Sequence, residues 1–232
     1  MSNLPSPTDI ELLRASDQRL YSSLRRLDDA TLGAASHLPG WTRGHVLAHL
    51  ARNADALVNV LRGRPMYPVP ASRESEIARD ADRPRDAHLA DLRAASDRLH
   101  AAFAAESADG WERTVVLRNG VTDRVGSLPF RRRAEVELHH VDLGVGYTLD
   151  DLPAEFTERE LAVVAGRFER DPAVPTSIEL RVDGGGVLHT GGPGEPSLVV
   201  SGTATALLGW LTGRTDGSGL TGNTPLPELP GL

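Results

Sequence analysis

Apolar residues recur at helical spacing in four long segments of the N-terminal half of the chain. These segments span approximately residues 8–29, 42–63, 86–106 and 127–144. Thr8, Thr42 and Ser127 stand at the start of three of them and are predicted N-caps, because their hydroxyl groups accept from free backbone N–H groups. A long connection rich in Pro, Arg and Asp separates the second segment from the third. The pattern predicts a four-helix bundle, a fold whose core often holds metal sites.

The pattern of apolar residues changes after Tyr147. Two helical and three strand-like segments follow, with helices at Pro153–Arg170 and Thr203–Thr212 and strands at Ser177–Val182, Val187–Thr190 and Leu198–Val200. Strands flanked by helices in this order are typical of a small α+β domain. We therefore predict an α+β protein, with an N-terminal bundle in residues 1–150 and a smaller α+β domain in residues 151–232.

The charge and the absence of long apolar runs exclude two classes of partner. The net charge is −7 and the arginines are scattered, so the basic stripe of a nucleic-acid-binding protein is missing. The run Arg131–Arg133 is interpreted as the solvated start of a helix, with the binding of an anionic ligand as the alternative. No segment approaches the ~20 apolar residues of a membrane span, and the N-terminus lacks a secretory signal. These features predict a cytoplasmic protein.

Two residue types are missing from the chain. Without cysteine it forms no disulfide, no thiolate metal site and no cysteine nucleophile, so any thiol chemistry needs a thiol from outside. All 25 residues counted as Lys or Arg are arginine. Without lysine the chain forms no Schiff base and has no lysine for a phosphate-binding loop.

Histidine and glutamate residues on two predicted helices have the spacing of metal ligands. Glu135 and His139 are four residues apart, so their side chains project from one face and can hold one ion. His45 and His49 have the same spacing on another helix, and either or both can supply a third ligand. Two imidazoles and one carboxylate leave a fourth tetrahedral position open, as in a catalytic zinc site. The alternative is a chance surface contact, which is common for such pairs.

The other histidines and two of the tryptophans have no obvious role in this site. Four histidines lie in polar surroundings and are predicted to be exposed: His37, His88, His100 and His189. Trp41 and Trp210 are predicted to be core anchors.

Three segments resemble signatures of the mycothiol-dependent maleylpyruvate isomerases, which belong to the DinB-like bundle superfamily. The first signature is matched by residues 40–50, GWTRGHVLAHL, followed by Asn53. The second is matched by residues 132–144, RRAEVELHHVDLG, and the third by Gly213-Arg214 after the last predicted helix. The resemblance spans the whole chain in order, which makes it more specific than any single motif.

The resemblance implies one divalent metal, zinc or another such ion, in the bundle. The implied ligands are His49, Glu135 and His139. His45 then drops out, because the family does not require an imidazole at that position. The chain departs from the family pattern at Glu137 and His140, where less polar residues are expected, and the roles of His45 and His140 stay open.

The resemblance also implies a thiol co-substrate, mycothiol, and residues that act beside the metal. Arg214 is the implied catalytic residue, reaching the active site from the C-terminal domain to bind the co-substrate and hold a substrate carboxylate. Asn53 is a second implied cofactor-binding residue. Asn53 or Asp142 is also a candidate for orienting the ligand imidazoles.

The implied reaction is the cis-trans isomerisation of maleylpyruvate to fumarylpyruvate by thiolate addition and elimination, a step of the gentisate route of aromatic degradation. A mycothiol S-transferase that conjugates the thiol to another electrophile is one alternative. A metal-dependent hydrolase that activates water is another, and a non-enzymatic metal-binding bundle is a third. The expected partners are a small-molecule substrate and a low-molecular-weight thiol, and the chain is expected to be a monomer or a homodimer.

Overall fold

The computed structural model describes residues 7–69, 72–169 and 171–230. The chain divides into two compact units, residues 1–147 and 148–232. The first unit is mostly helical and the second contains a sheet with two helices, so the predicted α+β class is confirmed.

Four long helices of the first unit pack together. The helices of this unit are α1 Pro7–Leu24, α2 Asp29–Leu32, α3 Arg43–Leu61, α4 Ser72–Asp80, α5 Arg85–Ala104, α6 Ala108–Glu112 and α7 Leu128–Asp142. The four long ones are α1, α3, α5 and α7. Helix α3 contacts α5 and α7, and α1 contacts the same two helices from the other side. Leu20, Leu47, Leu92 and Val136, one from each long helix, are buried between them. Burying such apolar side chains is the main force that holds the helices together.

The first helix is shorter than predicted and starts differently. Helix α1 ends at Leu24 instead of near residue 29, because Asp28 begins a separate helix by accepting from the N–H of Thr31. Thr8 lies inside α1, which begins at Pro7, so its predicted role as N-cap is wrong. Proline is favoured at the first position of a helix because it has no N–H to satisfy there.

Helix α3 begins at the predicted N-cap and lies very close to the connection that follows α4. The hydroxyl group of Thr42 accepts from the N–H of His45, and the His45 side chain accepts from the N–H of Thr42, which together form a capping box. A Cβ atom at Gly44 would lie 2.0 Å from the carbonyl oxygen of Ala81, so only glycine fits this contact.

Helix α4 lies in the connection between α3 and α5 and is held to α3 by charge. The buried carboxylate of Asp80 pairs with Arg79 at 2.8 Å and with Arg83 at 2.7 Å. Arg52 of α3 lies 3.8 Å from the other oxygen of Asp80. The contact with Arg52, near the middle of α3, links the end of α4 to that helix.

A short hairpin precedes α7. Strands β1 Thr114–Val116 and β2 Thr122–Arg124 pair antiparallel, and Asn119 and Gly120 both take the positive φ that a tight turn between them requires. Ser127 occupies the N-cap position of α7 but does not cap it, contrary to the prediction. Its hydroxyl group bonds to Asp123 and to the carbonyl of Arg124 instead.

The basic run at the start of α7 is not solvated as predicted. Arg132 and Arg133 are 1% and 2% exposed. Arg132 donates to the side-chain oxygen of Asn53 at 2.8 Å, and Arg133 donates to Ser16 at 3.3 Å. Arg131 pairs with Asp123 of the hairpin. All three arginines therefore face polar groups of other elements, and two of the three are buried.

The described residues of the second unit form a four-stranded sheet with two α-helices. Its elements are helix α8 Ala154–Phe168, strands β3 Ser177–Val182, β4 Val187–Gly191 and β5 Leu198–Gly202, helix α9 Ala204–Leu211 and strand β6 Thr221–Gly222. The strand order is β4-β3-β5-β6, with β3 and β5 parallel and the other neighbours antiparallel. Helix α8 packs on β4, and α9 packs on β3 and β5. The predicted end of α8 at Arg170 lies outside the described residues.

No helix within the three described ranges combines the length and the apolar character needed to cross a bilayer.

Candidate metal centre

Helices α3 and α7 bring three predicted ligands together. Nε2 of His49 lies 3.0 Å from Oε2 of Glu135 and 3.1 Å from Nε2 of His139. Nε2 of His139 lies 3.4 Å from the same Glu135 oxygen. The four-residue spacing on α7 stacks Glu135 and His139 on one face, and α3 presents His49 to that face.

The three ligand atoms fit a single metal ion. A tetrahedral site with metal–ligand bonds of 2.0–2.1 Å places its ligand atoms about 3.3 Å apart, close to the three distances observed here. The side chains of His49 and His139 are 6% and 17% exposed, whereas that of Glu135 is 37% exposed. The three ligand side chains are therefore shielded from solvent on the side of the two imidazoles and accessible beside the carboxylate, where there is room for a further ligand.

The protonation of two of these groups suits cation binding. Burial lowers the pKa of His49 to about 4, so its imidazole is neutral at pH 7. Burial alone would raise the pKa of Glu135, but hydrogen bonds and charge from His139 and His49 hold it well below its usual value. Burial also opposes a charge on His139, yet the carboxylates of Asp142 and Glu135 raise its pKa. A neutral imidazole at His49 and a carboxylate at Glu135 are the states that a divalent metal requires.

Asp142 holds the ring of His139. Its Oδ2 atom lies 2.8 Å from Nδ1 of His139, and the carboxylate is buried. This contact fixes the proton of His139 on Nδ1 and leaves the Nε2 lone pair directed at the other two ligand atoms.

Two further side chains lie against His49. The ring of Trp41 meets the His49 ring edge-on at 5.5 Å. Nη2 of Arg73 lies 3.2 Å from Nδ1 of His49, and the guanidinium carbon lies 5.8 Å from the centre of the Trp41 ring. Burial raises the pKa of Tyr67, the charge of Arg73 opposes this effect, and the charge of Glu135 adds to it.

Comparison with family models identifies the family to which the chain belongs. A model described as the mycothiol maleylpyruvate isomerase N-terminal domain matches residues 13–144, and one described as the MDMPI C-terminal domain matches residues 151–231. The chain belongs to the mycothiol-dependent maleylpyruvate isomerase family. The resemblance stated from the sequence is thereby confirmed.

Solved structures of this isomerase family are similar over the whole chain. A crystal structure of the mycothiol-dependent maleylpyruvate isomerase and one of its histidine-to-alanine mutant each share 29% sequence identity with the chain. Each match covers 99% of this chain and 98% of the other, with a TM-score of 0.89. A sequence comparison with curated proteins gives no significant match.

In this member of the isomerase family, the two histidines next to the predicted ligands have other contacts. His45 lies outside the triad, where its ring nitrogen is 2.7 Å from the hydroxyl group of Thr42. His140 faces away from the triad, with Nε2 2.9 Å from Ser23 and its ring stacked on Tyr147 at 3.9 Å. Both are therefore accounted for by contacts within the bundle.

The predicted exposure of the other histidines is right for two and wrong for two. His37 and His189 are exposed. His88 and His100 are buried, because Nε2 of His88 bonds to the carbonyl of Ala81 and Nε2 of His100 lies 2.9 Å from Asp17. Each partner replaces the water that the ring loses on burial.

The other predicted site residues have well-defined local contacts. Asn53 is buried and its amide oxygen accepts from Arg132, so its predicted cofactor-binding role stays a prediction. Arg214 follows Gly213, whose φ of +68° ends α9. The N–H groups of Gly213 and Arg214 bond to the carbonyls of Trp210 and Gly209, a Schellman motif that fixes the backbone at Arg214. The catalytic role of Arg214 also stays a prediction.

Sequence reasoning missed two of the residues around His49. Trp41 was predicted to be a core anchor, and it lies against the site as well as the core, whereas Trp210 is buried as predicted. Arg73 lies in the Pro-rich connection, where no periodicity relates it to the ligands. A signal existed only for Trp41, which stands inside the first signature.

A cavity of about 730 Å³ lies in the first unit, between the hairpin and the segment that follows α3. Tyr67 is part of its lining and is also the residue that responds to the charges of Arg73 and Glu135. Met66, Val115 and Leu117 line the apolar part of the cavity.

Proposed function

We propose that this protein is a zinc- and mycothiol-dependent isomerase that converts maleylpyruvate to fumarylpyruvate. The observation that carries the proposal is the convergence of His49, Glu135 and His139 on one point, with an open side, in a chain of this family. Two imidazoles, one carboxylate and an open position are the donor set of a catalytic zinc site. The chain has no cysteine, so the thiol must come from a co-substrate.

A zinc ion held by the triad would ionise the thiol of mycothiol, because thiols that coordinate zinc are deprotonated. The thiolate adds to the carbon–carbon double bond of maleylpyruvate, forming a C–S bond and moving an electron pair onto the neighbouring carbonyl oxygen. The former double bond is now single and rotates. Return of the electron pair expels the thiolate and leaves the trans double bond of fumarylpyruvate.

In this reaction, residues of the chain hold the ion, keep its ligands in the right protonation state and bind the substrate. His49, Glu135 and His139 hold the ion, and Asp142 keeps the proton of His139 on Nδ1 so that Nε2 stays a ligand. Burial keeps His49 neutral and ready to ligate. Arg214 is proposed, from the family resemblance, to bind a substrate carboxylate and stabilise the negative charge that develops on oxygen.

The test measures isomerisation of maleylpyruvate by zinc-loaded protein, with fumarylpyruvate identified by coupling to its hydrolase. Four conditions are compared: with and without mycothiol, and with and without zinc. His49→Ala is the test variant and His45→Ala the matched control, because His45 lies one turn earlier on α3 and outside the triad. Turnover that needs thiol, zinc and His49 but not His45 supports the proposal.

Each other result overturns the proposal in a distinguishable way. A thioether adduct that accumulates with other electrophiles, without isomerisation, would identify an S-transferase. Metal-dependent turnover without thiol would identify a hydrolase. Zinc binding that survives His49→Ala would reject the ligand set itself.

A further inference from the structure

The guanidinium group of Arg73 lies against the metal triad on the side of α4. Its Nη2 atom is 3.2 Å from Nδ1 of His49, and its central carbon lies over the ring of Trp41, 5.8 Å from the ring centre. The side chain is only 15% exposed. An arginine held this close to a ligand imidazole is a charged group of the site and not of the protein surface.

The carboxylate that pairs with Arg73 is a weak partner. Oε1 of Glu74 lies 3.2 Å from Nη1 of Arg73, but Glu74 is 55% exposed and its same oxygen also pairs with Arg118. Exposed pairs of this kind contribute little, because water and salt screen them. Glu74 therefore leaves much of the positive charge of Arg73 directed at the site.

Metal binding would change the contact between Arg73 and His49. An imidazole that gives its Nε2 lone pair to a metal keeps its hydrogen on Nδ1. The Nδ1–H of His49 and the Nη2–H of Arg73 would then be two donors facing each other at 3.2 Å. An acceptor that takes both hydrogens removes this conflict, and a carboxylate oxygen is such an acceptor.

We propose that Arg73, together with Nδ1–H of His49, binds a carboxylate of the substrate beside the metal. Maleylpyruvate carries two carboxylates, so Arg73 would hold one and leave the other for a second cation. The identity of the substrate rests on the proposed function, whereas the carboxylate site rests on Arg73 itself.

The test is calorimetric titration of maleate, a small cis dicarboxylate, into zinc-loaded protein without mycothiol. Arg73→Gln should weaken maleate binding by roughly tenfold or more, since it removes a charge-assisted pair. The maleate affinity of Arg73→Lys should lie between those of Arg73→Gln and the wild type, because lysine keeps the charge and loses the planar fork. Arg79→Gln is the matched control: Arg79 is on the same helix, 62% exposed and paired with Asp80, and its variant should bind maleate like the wild type.

Zinc content and thermal unfolding are measured on every variant. Wild-type maleate affinity in folded, zinc-loaded Arg73→Gln would overturn the proposal, as would the absence of maleate binding by the zinc-loaded wild type. Loss of zinc from Arg73→Gln would assign Arg73 to support of His49 instead. No thiol is present in this titration, so Arg73-dependent maleate binding would support the carboxylate site even if the isomerisation assay failed. Conversely, normal isomerisation would not support the carboxylate site if maleate binding did not depend on Arg73.

Discussion

The Nδ1 atom of His139 lies 2.8 Å from the buried carboxylate of Asp142, three residues further along α7. One helix therefore supplies two of the three candidate ligands and also the group that orients one of them. The spacing of Glu135, His139 and Asp142 places all three on adjacent turns of the same face. The second signature thus encodes a ligand pair and its support within eight residues of sequence.

We predict that Asp142→Asn lowers the affinity for zinc by about 10- to 100-fold, because the neutral amide no longer polarises and fixes the imidazole of His139. Competition with a chromophoric chelator measures the affinity. Asp86→Asn is the control, since Asp86 is 82% exposed on α5 and its variant should bind zinc normally. An unchanged affinity in Asp142→Asn would show that the contact does not support the ligand.

His45→Ala should retain zinc and lose stability, the reverse of what its spacing with His49 suggests. Its side chain closes the capping box of α3 with Thr42, which is worth about 1 kcal/mol. Urea unfolding and zinc stoichiometry together check this expectation. Loss of zinc from His45→Ala would mean that the ligand set includes His45.

The long helices could be predicted from sequence because each buries one continuous apolar stripe. The bounds of α3 and α5 differ from the prediction by a few residues. Helix α1 was overextended because Leu27 continues its apolar spacing, while the cap at Asp28 begins a new helix. Periodicity reports a buried face and does not report where a competing cap takes over.

The polar interior could not be predicted because its partners are far apart in sequence. A run of three arginines normally lies in water, but Arg132 and Arg133 face Asn53 and Ser16, which belong to other helices. His100 is buried against Asp17, 83 residues away. Residue spacing carries no information about such pairs.

The candidate site shows the same limit. Spacing gave the pair on α7 and left His45 and His49 as equal candidates, and only the resemblance separated them. The structure brings His49 to the pair and leaves His45 at the cap. Arg73 had no signal, since its place beside His49 depends on how the irregular connection folds back over α3.

Gly44→Ala should destabilise the protein by about 1–3 kcal/mol, because the added methyl group would lie 2.0 Å from the carbonyl oxygen of Ala81. Either α3 or the segment after α4 must move, and α4 carries Arg73. Gly33→Ala is the control, with nothing within 4 Å of its Cβ position, and should change stability by less than about 0.5 kcal/mol. Chemical denaturation measures both. Equal stability of the two variants would contradict the close contact.

Asp80→Asn should destabilise the protein at neutral pH and much less in acid. Burial alone would raise the pKa of Asp80, but Arg79, Arg83 and Arg52 hold it below its usual value. The folded state therefore favours the carboxylate, and this stabilisation is complete above the unfolded pKa of about 3.9 and is lost as the pH falls through the lower folded pKa. Urea unfolding of zinc-free protein should show a cost of about 1–3 kcal/mol at pH 7 that shrinks below about pH 4, whereas the exposed neighbour variant Asp82→Asn should show little cost at either pH. The same cost at both pH values would mean that Asp80 acts through its shape and not its charge, and α4 would then be held beside the metal centre by packing alone.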